Sequence, residues 1–85
     1  MNITLVQDQA IQARMALIVG AKTIDRLFAD IWFDETDDPL LYVYAKDEET
    51  AAELEDNFAL HIATVASGIL KREIEIVLVL PKVLQ

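Results

Sequence analysis

Hydrophobic residues recur at intervals of three and four between residues 47 and 67, a pattern that predicts an amphipathic helix with one face in a core. Asp47 is suited to the N-cap, because its carboxylate can accept a backbone N–H at the start of the helix. Ser67 and Gly68 predict the end of this helix. We expect Phe58, central on the stripe, to be among the most buried side chains. The apolar stripe comprises Ala51, Leu54, Phe58, Ile62, Val65 and Ile69.

Two other segments alternate with the period of two that is typical of strands. Residues 73–80 are one, and residues 40–45 are the other. Residues 34–39 predict a turn, so that residues 31–33 can pair with 40–45 as a hairpin. Both faces of residues 40–45 are apolar, so either helices cover both faces of the sheet or one face is an exposed apolar patch. One of these faces carries Leu40, Tyr42 and Tyr44, and the other carries Leu41, Val43 and Ala45.

The first thirty residues allow two arrangements. Asp8 is a candidate cap for a first helix that Gly20 would end or kink, and Thr23 is a candidate cap for a second helix. Residues 2–6 could form a short strand or simply lead into the first helix. The chain is therefore expected to be a single α+β domain over residues 1–85, with α-α-β-β-α-β order and helices on a three-stranded sheet. The alternative is a ferredoxin-like β-α-β-β-α-β order.

Charge limits the kind of partner. The chain has 15 acidic residues against 7 Lys and Arg, a formal net charge of −8. Residues 34–56 hold ten of the acids and one base, so this segment is either a solvated acidic surface or a docking face for a basic partner. Duplex-binding domains carry basic footprints, so we expect no appreciable binding of DNA or RNA at physiological salt.

Few residues could support catalysis or metal binding. The chain has no cysteine and a single histidine, His61, whose neighbours on the helix are not metal ligands. The acidic turn lacks the glycine and glutamate spacing of a calcium-binding loop. We therefore predict no enzyme activity, metal or cofactor. The longest uncharged run, residues 58–70, is shorter than the roughly 20 residues that span a bilayer, so we expect a cytoplasmic protein without a membrane partner.

Residues 37–45, the capped helix with Phe58 and Ile62, and the closing strand together resemble the N-terminal domain of the bacterial replication initiator DnaA. The family's Leu-x-Leu-Tyr-Ala strand is matched at residues 41–45, and an apolar triplet of its second helix at Ile24, Leu27 and Phe28. The resemblance covers about two thirds of the chain and implies a KH-like α-α-β-β-α-β fold with partners among replication proteins.

This chain also departs from the family pattern. No tryptophan precedes residue 31, and residues 46–49 are Lys-Asp-Glu-Glu where the family has Pro-Asn-x-Phe. No helicase-contacting residue of the family therefore carries over to this sequence.

Together these features predict a non-enzymatic protein–protein interaction module that self-associates as a homo-oligomer or docks a protein partner, and the resemblance implies that such partners are replication proteins. The candidate partner-binding residues are aromatic anchors on the hairpin and acids around them, the composition expected of an interface and its polar rim. Two alternatives remain: an acidic phage or plasmid regulatory protein that occupies a basic partner, and a small-ligand-binding ferredoxin-like domain. The candidate residues are Trp32, Tyr42 and Tyr44 with Asp34, Glu35, Asp37 and Asp38.

Overall fold

The computed structural model describes residues 1–82, which form three helices and a three-stranded mixed sheet. Their order is α-α-β-β-α-β, so the predicted α+β class and order are confirmed. The ferredoxin-like alternative is wrong, because Asn2 makes only a single bridge to Glu35 and two separate helices follow. The elements are α1 (Leu5–Val19), α2 (Ala21–Leu27), β1 (Trp32–Asp37), β2 (Leu40–Ala45), α3 (Glu48–Leu70) and β3 (Ile76–Pro81).

The strand order in the sheet is β1-β2-β3, with β1 antiparallel and β3 parallel to the central β2. The parallel pair requires a crossover, and α3 supplies it while packing on β2 and β3. The first three residues run along the outer edge of β1. There the Ile3 N–H donates to the Asp34 carbonyl at 2.9 Å, and the Thr36 N–H donates to the Met1 carbonyl at 2.8 Å.

The two N-terminal helices begin at residues other than the predicted caps. Thr4, not Asp8, caps α1: its hydroxyl accepts the Gln7 N–H, and the Gln7 side chain accepts the Thr4 N–H. Gly20 ends α1 as predicted, with a φ of 88° that favours glycine. Since α2 begins directly after Gly20, Thr23 lies inside that helix and does not cap it.

Helix α3 begins as predicted, because the Asp47 carboxylate accepts the Thr50 N–H at 2.8 Å. It does not end at Ser67 and Gly68. It continues to Leu70, whose side chain is buried, and ends with Lys71 in the left-handed conformation. The Ser67 hydroxyl instead accepts the Ile74 N–H at 3.1 Å and so ties the next segment to the helix. Within residues 1–82, no helix has both the length and the apolar character needed to span a membrane.

The core lies between the three helices and one face of the sheet. Strand β1 is longer than predicted: residues 34–37 belong to it, with a bulge between Phe33 and Glu35, and only residues 38–39 form the turn. Phe33 therefore enters the core with an exposed fraction of 1%. The other buried side chains of the sheet are Thr36, Leu41, Val43, Ala45, Val77 and Val79.

The prediction that Phe58 is among the most buried side chains is wrong, because Phe58 is only half-buried. Helix α3 packs against α1 as well as the sheet, so its buried surface is broader than one stripe. Leu54 and Ile62 are fully buried, whereas Phe58 lies beside the exposed His61 with ring centroids 6.4 Å apart. The broader surface also includes Ala63, Ala66 and Leu70.

Candidate interaction surface

The second face of the sheet points away from the buried core, and we call it the open face. Cross-strand partners place their side chains on the same face of a sheet, so the register defines its members. They fall into three rows across the strands. The rows are Trp32–Tyr44–Leu80, Glu35–Tyr42–Leu78 and Asp37–Leu40–Ile76.

The open face is largely apolar and accessible. Trp32 is 58% exposed, Ile76 is 51% exposed and Leu78 is 37% exposed. Tyr42 and Tyr44 are both half-buried, as expected for two residues on one strand face. Among residues 1–82, the helices pack on the opposite face and the core is confined to that side. Contiguous exposed apolar surface of this kind is typical of interaction sites.

The three predicted aromatic anchors lie together. Trp32 is directly opposite Tyr44 on the neighbouring strand, and Tyr42 is two residues further along the same face. The Trp32 indole N–H donates to the Asp34 carboxylate at 3.1 Å, which holds this acid beside the aromatic group. The hairpin therefore assembles an aromatic cluster with an adjacent carboxylate. Its role in binding stays a prediction.

The predicted acidic rim is divided by the fold. Glu35 is in register with Tyr42, and Asp37 is in register with Leu40, so both belong to the open face itself. Asp38 lies in the turn and accepts a hydrogen bond from Arg72 at 3.0 Å. The four predicted acids thus comprise two carboxylates on the face and two beside it that are hydrogen-bonded, Asp34 to Trp32 and Asp38 to Arg72.

Three residues of this surface were missing from the sequence-based site. Ile76, Leu78 and Leu80 come from β3, which is more than thirty residues away from β2 in the chain but directly beside it in the sheet. The alternation in residues 73–80 separates them from Val77 and Val79. That pattern does not reveal the neighbouring strand, so only the pairing identifies them as part of the same surface.

Both edges of the sheet carry contacts that occupy backbone groups. On the outer edge of β3, the Val79 N–H donates to the Glu55 carboxylate of α3 at 2.9 Å, and Pro81 has no N–H to offer. On the outer edge of β1, residues 1–3 occupy the backbone groups of Asp34 and Thr36. Occupied edge groups oppose the addition of another strand. The open face is therefore the surface better suited to a partner.

Several acids of residues 34–56 make hydrogen bonds within the protein. The hydrogen bond from Thr50 lowers the pKa of Asp47 at the start of α3. Glu53 makes two hydrogen bonds of 2.8 Å with Arg26 of α2, which lower the pKa of Glu53 and raise that of Arg26. Within residues 1–82, by contrast, Glu35 and Asp37 form no ion pair. The acids available to a partner thus include two that lie on the open face.

Two further features bear on small ligands in the part of the chain that the structure describes. Residues 1–82 contain no group of three or more His, Asp or Glu side chains that could hold a metal ion. A polar cleft between α2 and α3 is lined in part by Arg26, Asp47 and Glu53, whose side chains already pair with protein groups.

No protein-family model matches the chain, and the search of curated proteins finds no match either.

Proposed function

We propose that this protein is a non-enzymatic protein–protein interaction module that binds its partner through the open face. The observation that carries the proposal is the set of apolar and aromatic side chains from all three strands that share the open face, among them Trp32, Tyr44 and Ile76. Leaving Trp32 and Ile76 more than half exposed keeps apolar surface in water, and a partner that covers them would gain the free energy of their burial. Trp and Tyr are also the usual anchors of protein interfaces.

The occupied edges support docking on the face. The carboxylate of Glu55 on the Val79 N–H and the pairing of residues 1–3 with β1 leave few free donors for another strand. The order of elements is the order that the resemblance to the DnaA domain implies, but a shared order is agreement of fold and does not by itself identify a partner, so replication proteins are proposed as partners on the resemblance alone.

The test compares two isoleucines of similar exposure on different surfaces. Ile76 lies on the open face, whereas Ile18 lies on α1 and is 46% exposed. Wild type, Ile76→Ser and Ile18→Ser would be examined by light scattering for self-association and by quantitative affinity capture from a lysate of the source cell. We expect Ile76→Ser to weaken association about fivefold or more, which corresponds to the loss of an interface anchor worth about 1 kcal/mol. We expect Ile18→Ser to leave association unchanged.

The proposal fails if Ile76→Ser changes neither self-association nor any captured protein, or if Ile18→Ser causes the same loss. Circular dichroism and thermal melts of both variants would verify that the fold is retained, which the exposure of both side chains leads us to expect.

A further inference from the structure

The shape and charge of the open face indicate what kind of partner it fits, an inference that rests on the proposed function. Neighbouring strands lie about 4.8 Å apart, so a face of three strands is about 14 Å wide. Each strand rises about 3.3 Å per residue, so the face is about 20 Å long. An α-helix is about 10 Å across with its side chains, and about 13 residues span 20 Å. One helix lying along the strands therefore matches the footprint.

A partner that adds a strand to an edge of the sheet would fit less well than a helix on the open face. On the outer edge of β3, Pro81 has no backbone N–H to donate, and the Val79 N–H already donates to the Glu55 carboxylate at 2.9 Å. The outer edge of β1 is occupied at Asp34 and Thr36 by residues 1–3. A partner that satisfies its own backbone hydrogen bonds needs no such edge, and an α-helix does so.

The negative charge of the open face favours a helix with basic residues along one side. Glu35 and Asp37 lie on the β1 side of the open face, in rows with Tyr42 and Leu40, and form no ion pair within residues 1–82. Their positions are two residues apart on the strand, about 6–7 Å. Residues i and i+4 of a helix are about 6 Å apart along its axis, so Lys or Arg at that spacing would face both carboxylates.

The same charges disfavour a second copy as the occupant. Each chain carries a formal charge of −8, with 15 acids against 7 Lys and Arg. A symmetric dimer through the open face would bring two such surfaces together, with Glu35 and Asp37 contributed by each copy. Like charges brought together at an interface oppose association.

We infer that the open face binds a single amphipathic helix of about 13 residues, whose apolar stripe covers β2 and β3 and whose Lys or Arg flank faces Glu35 and Asp37. Trp32 contacts one end of this helix, because its row with Tyr44 and Leu80 closes that end of the face.

Trp32 is the only tryptophan of the chain, so its fluorescence reports directly on the open face. The probes are two synthetic 14-residue helical peptides without tryptophan. They share one leucine stripe, and one carries Lys at the flanking i and i+4 positions where the other carries Glu. We expect the Lys peptide to shift the Trp32 emission with a dissociation constant below about 100 µM, and the Glu peptide to bind about tenfold more weakly.

Matched variants distinguish the effect of the charges on the open face from the effect of the net charge of the chain on peptide binding. Glu35→Gln with Asp37→Asn should weaken binding of the Lys peptide about fivefold, whereas Glu49→Gln with Asp56→Asn, which removes the same charge from α3, should change it less than twofold. Ile76→Ser should weaken binding of both peptides, and Ile18→Ser should not.

Three results would overturn the inference: no response to the Lys peptide, equal affinity for both peptides, or equal loss in the two charge variants. If the Lys peptide does not bind but Ile76→Ser abolishes self-association in light scattering, the helix is wrong while the docking function stands with a second copy as the occupant. If Ile76→Ser changes neither peptide binding nor self-association nor capture, both proposals fail.

Discussion

The two faces of the sheet are built from alternate residues of the same strands, yet they differ sharply in how much of each side chain is exposed to solvent. On β1, Phe33 points into the core and is 1% exposed, whereas its neighbour Trp32 points to the open face and is 58% exposed. On β3, Val77 is buried and Ile76 is 51% exposed. The first face is covered by the helices, and the second is accessible across residues 1–82.

This difference shows that the hydrophobicity of the side chains does not by itself tell the covered face from the open face. Val and Leu on the covered face and Ile and Leu on the open face have similar transfer free energies. The distinguishing features are the two carboxylates in the rows of the open face and its Trp and Tyr side chains, whose polar N–H and O–H groups Phe33 of the covered face lacks. Substitutions on the two faces should therefore affect different measurements.

The largest difference is expected between the adjacent aromatic residues of β1. Phe33→Ala should lower the free energy of unfolding by about 3–5 kcal/mol, because it leaves a cavity in the core. Trp32→Ala should lower it by less than about 1 kcal/mol, because most of the indole is already in water. Urea denaturation of both variants would measure this, and similar losses would contradict the assignment of faces.

Helix α3 provides a second comparison within the covered side. Ile62→Ala should cost about 2–5 kcal/mol because Ile62 is fully buried, whereas Phe58→Ala should cost less despite the larger side chain, because Phe58 is half-buried. A larger loss for Phe58→Ala in chemical denaturation would mean that Phe58 lies in the core after all.

On the open face, Tyr44→Ala should reduce binding more than stability. The tyrosine is half-buried opposite Trp32, so its removal should weaken association with a partner by about 1–2 kcal/mol. Calorimetric titration with the Lys peptide, beside a thermal melt, would measure both effects. Unfolding of the variant without a separate binding defect would show that Tyr44 is structural.

The edge of β3 should respond more weakly. Glu55→Ala removes the acceptor of the Val79 N–H and should cost about 1 kcal/mol, the usual contribution of such a hydrogen bond. The control is Asp56→Ala, which removes a neighbouring exposed acid of α3. Hydrogen exchange should show faster exchange of the Val79 amide in Glu55→Ala only, and unchanged protection would mean that this contact does not hold the edge.

The smallest effect is expected from pH. Arg26 lowers the pKa of Glu53, and the hydrogen bond from Thr50 lowers that of Asp47. A carboxyl whose pKa is lower in the folded state stabilises the fold at neutral pH, and this contribution disappears as the pH falls from the unfolded pKa through the folded one. The thermal midpoint should therefore decline in that acidic range, and less steeply in Arg26→Gln. Identical pH profiles for wild type and Arg26→Gln would show that the ion pair contributes nothing.

Local pattern and turn chemistry determined much of the fold from the sequence. The alternation of residues 40–45, the cap at Asp47 and the helix end at Gly20 depend on neighbours in the chain, and each is found in the structure. These local signals predicted the α-α-β-β-α-β order but left a first strand at residues 2–6 open, and the structure excludes that strand. Trp32, Tyr42 and Tyr44 could be placed together because a hairpin pairs residues that are close in sequence.

Features that depend on residues far apart in the chain were decided only by the tertiary structure. The contribution of Ile76, Leu78 and Leu80 to the open face requires the parallel pairing of β3 with β2, which local periodicity does not encode. The half-burial of Phe58 and the extension of α3 to Leu70 follow from packing of α3 against two elements at once. Both faces of β2 are apolar, so the strand propensity of its residues is satisfied whichever face is covered. The helices pack on one side of the sheet, and this packing decides which face joins the core and which becomes the open face.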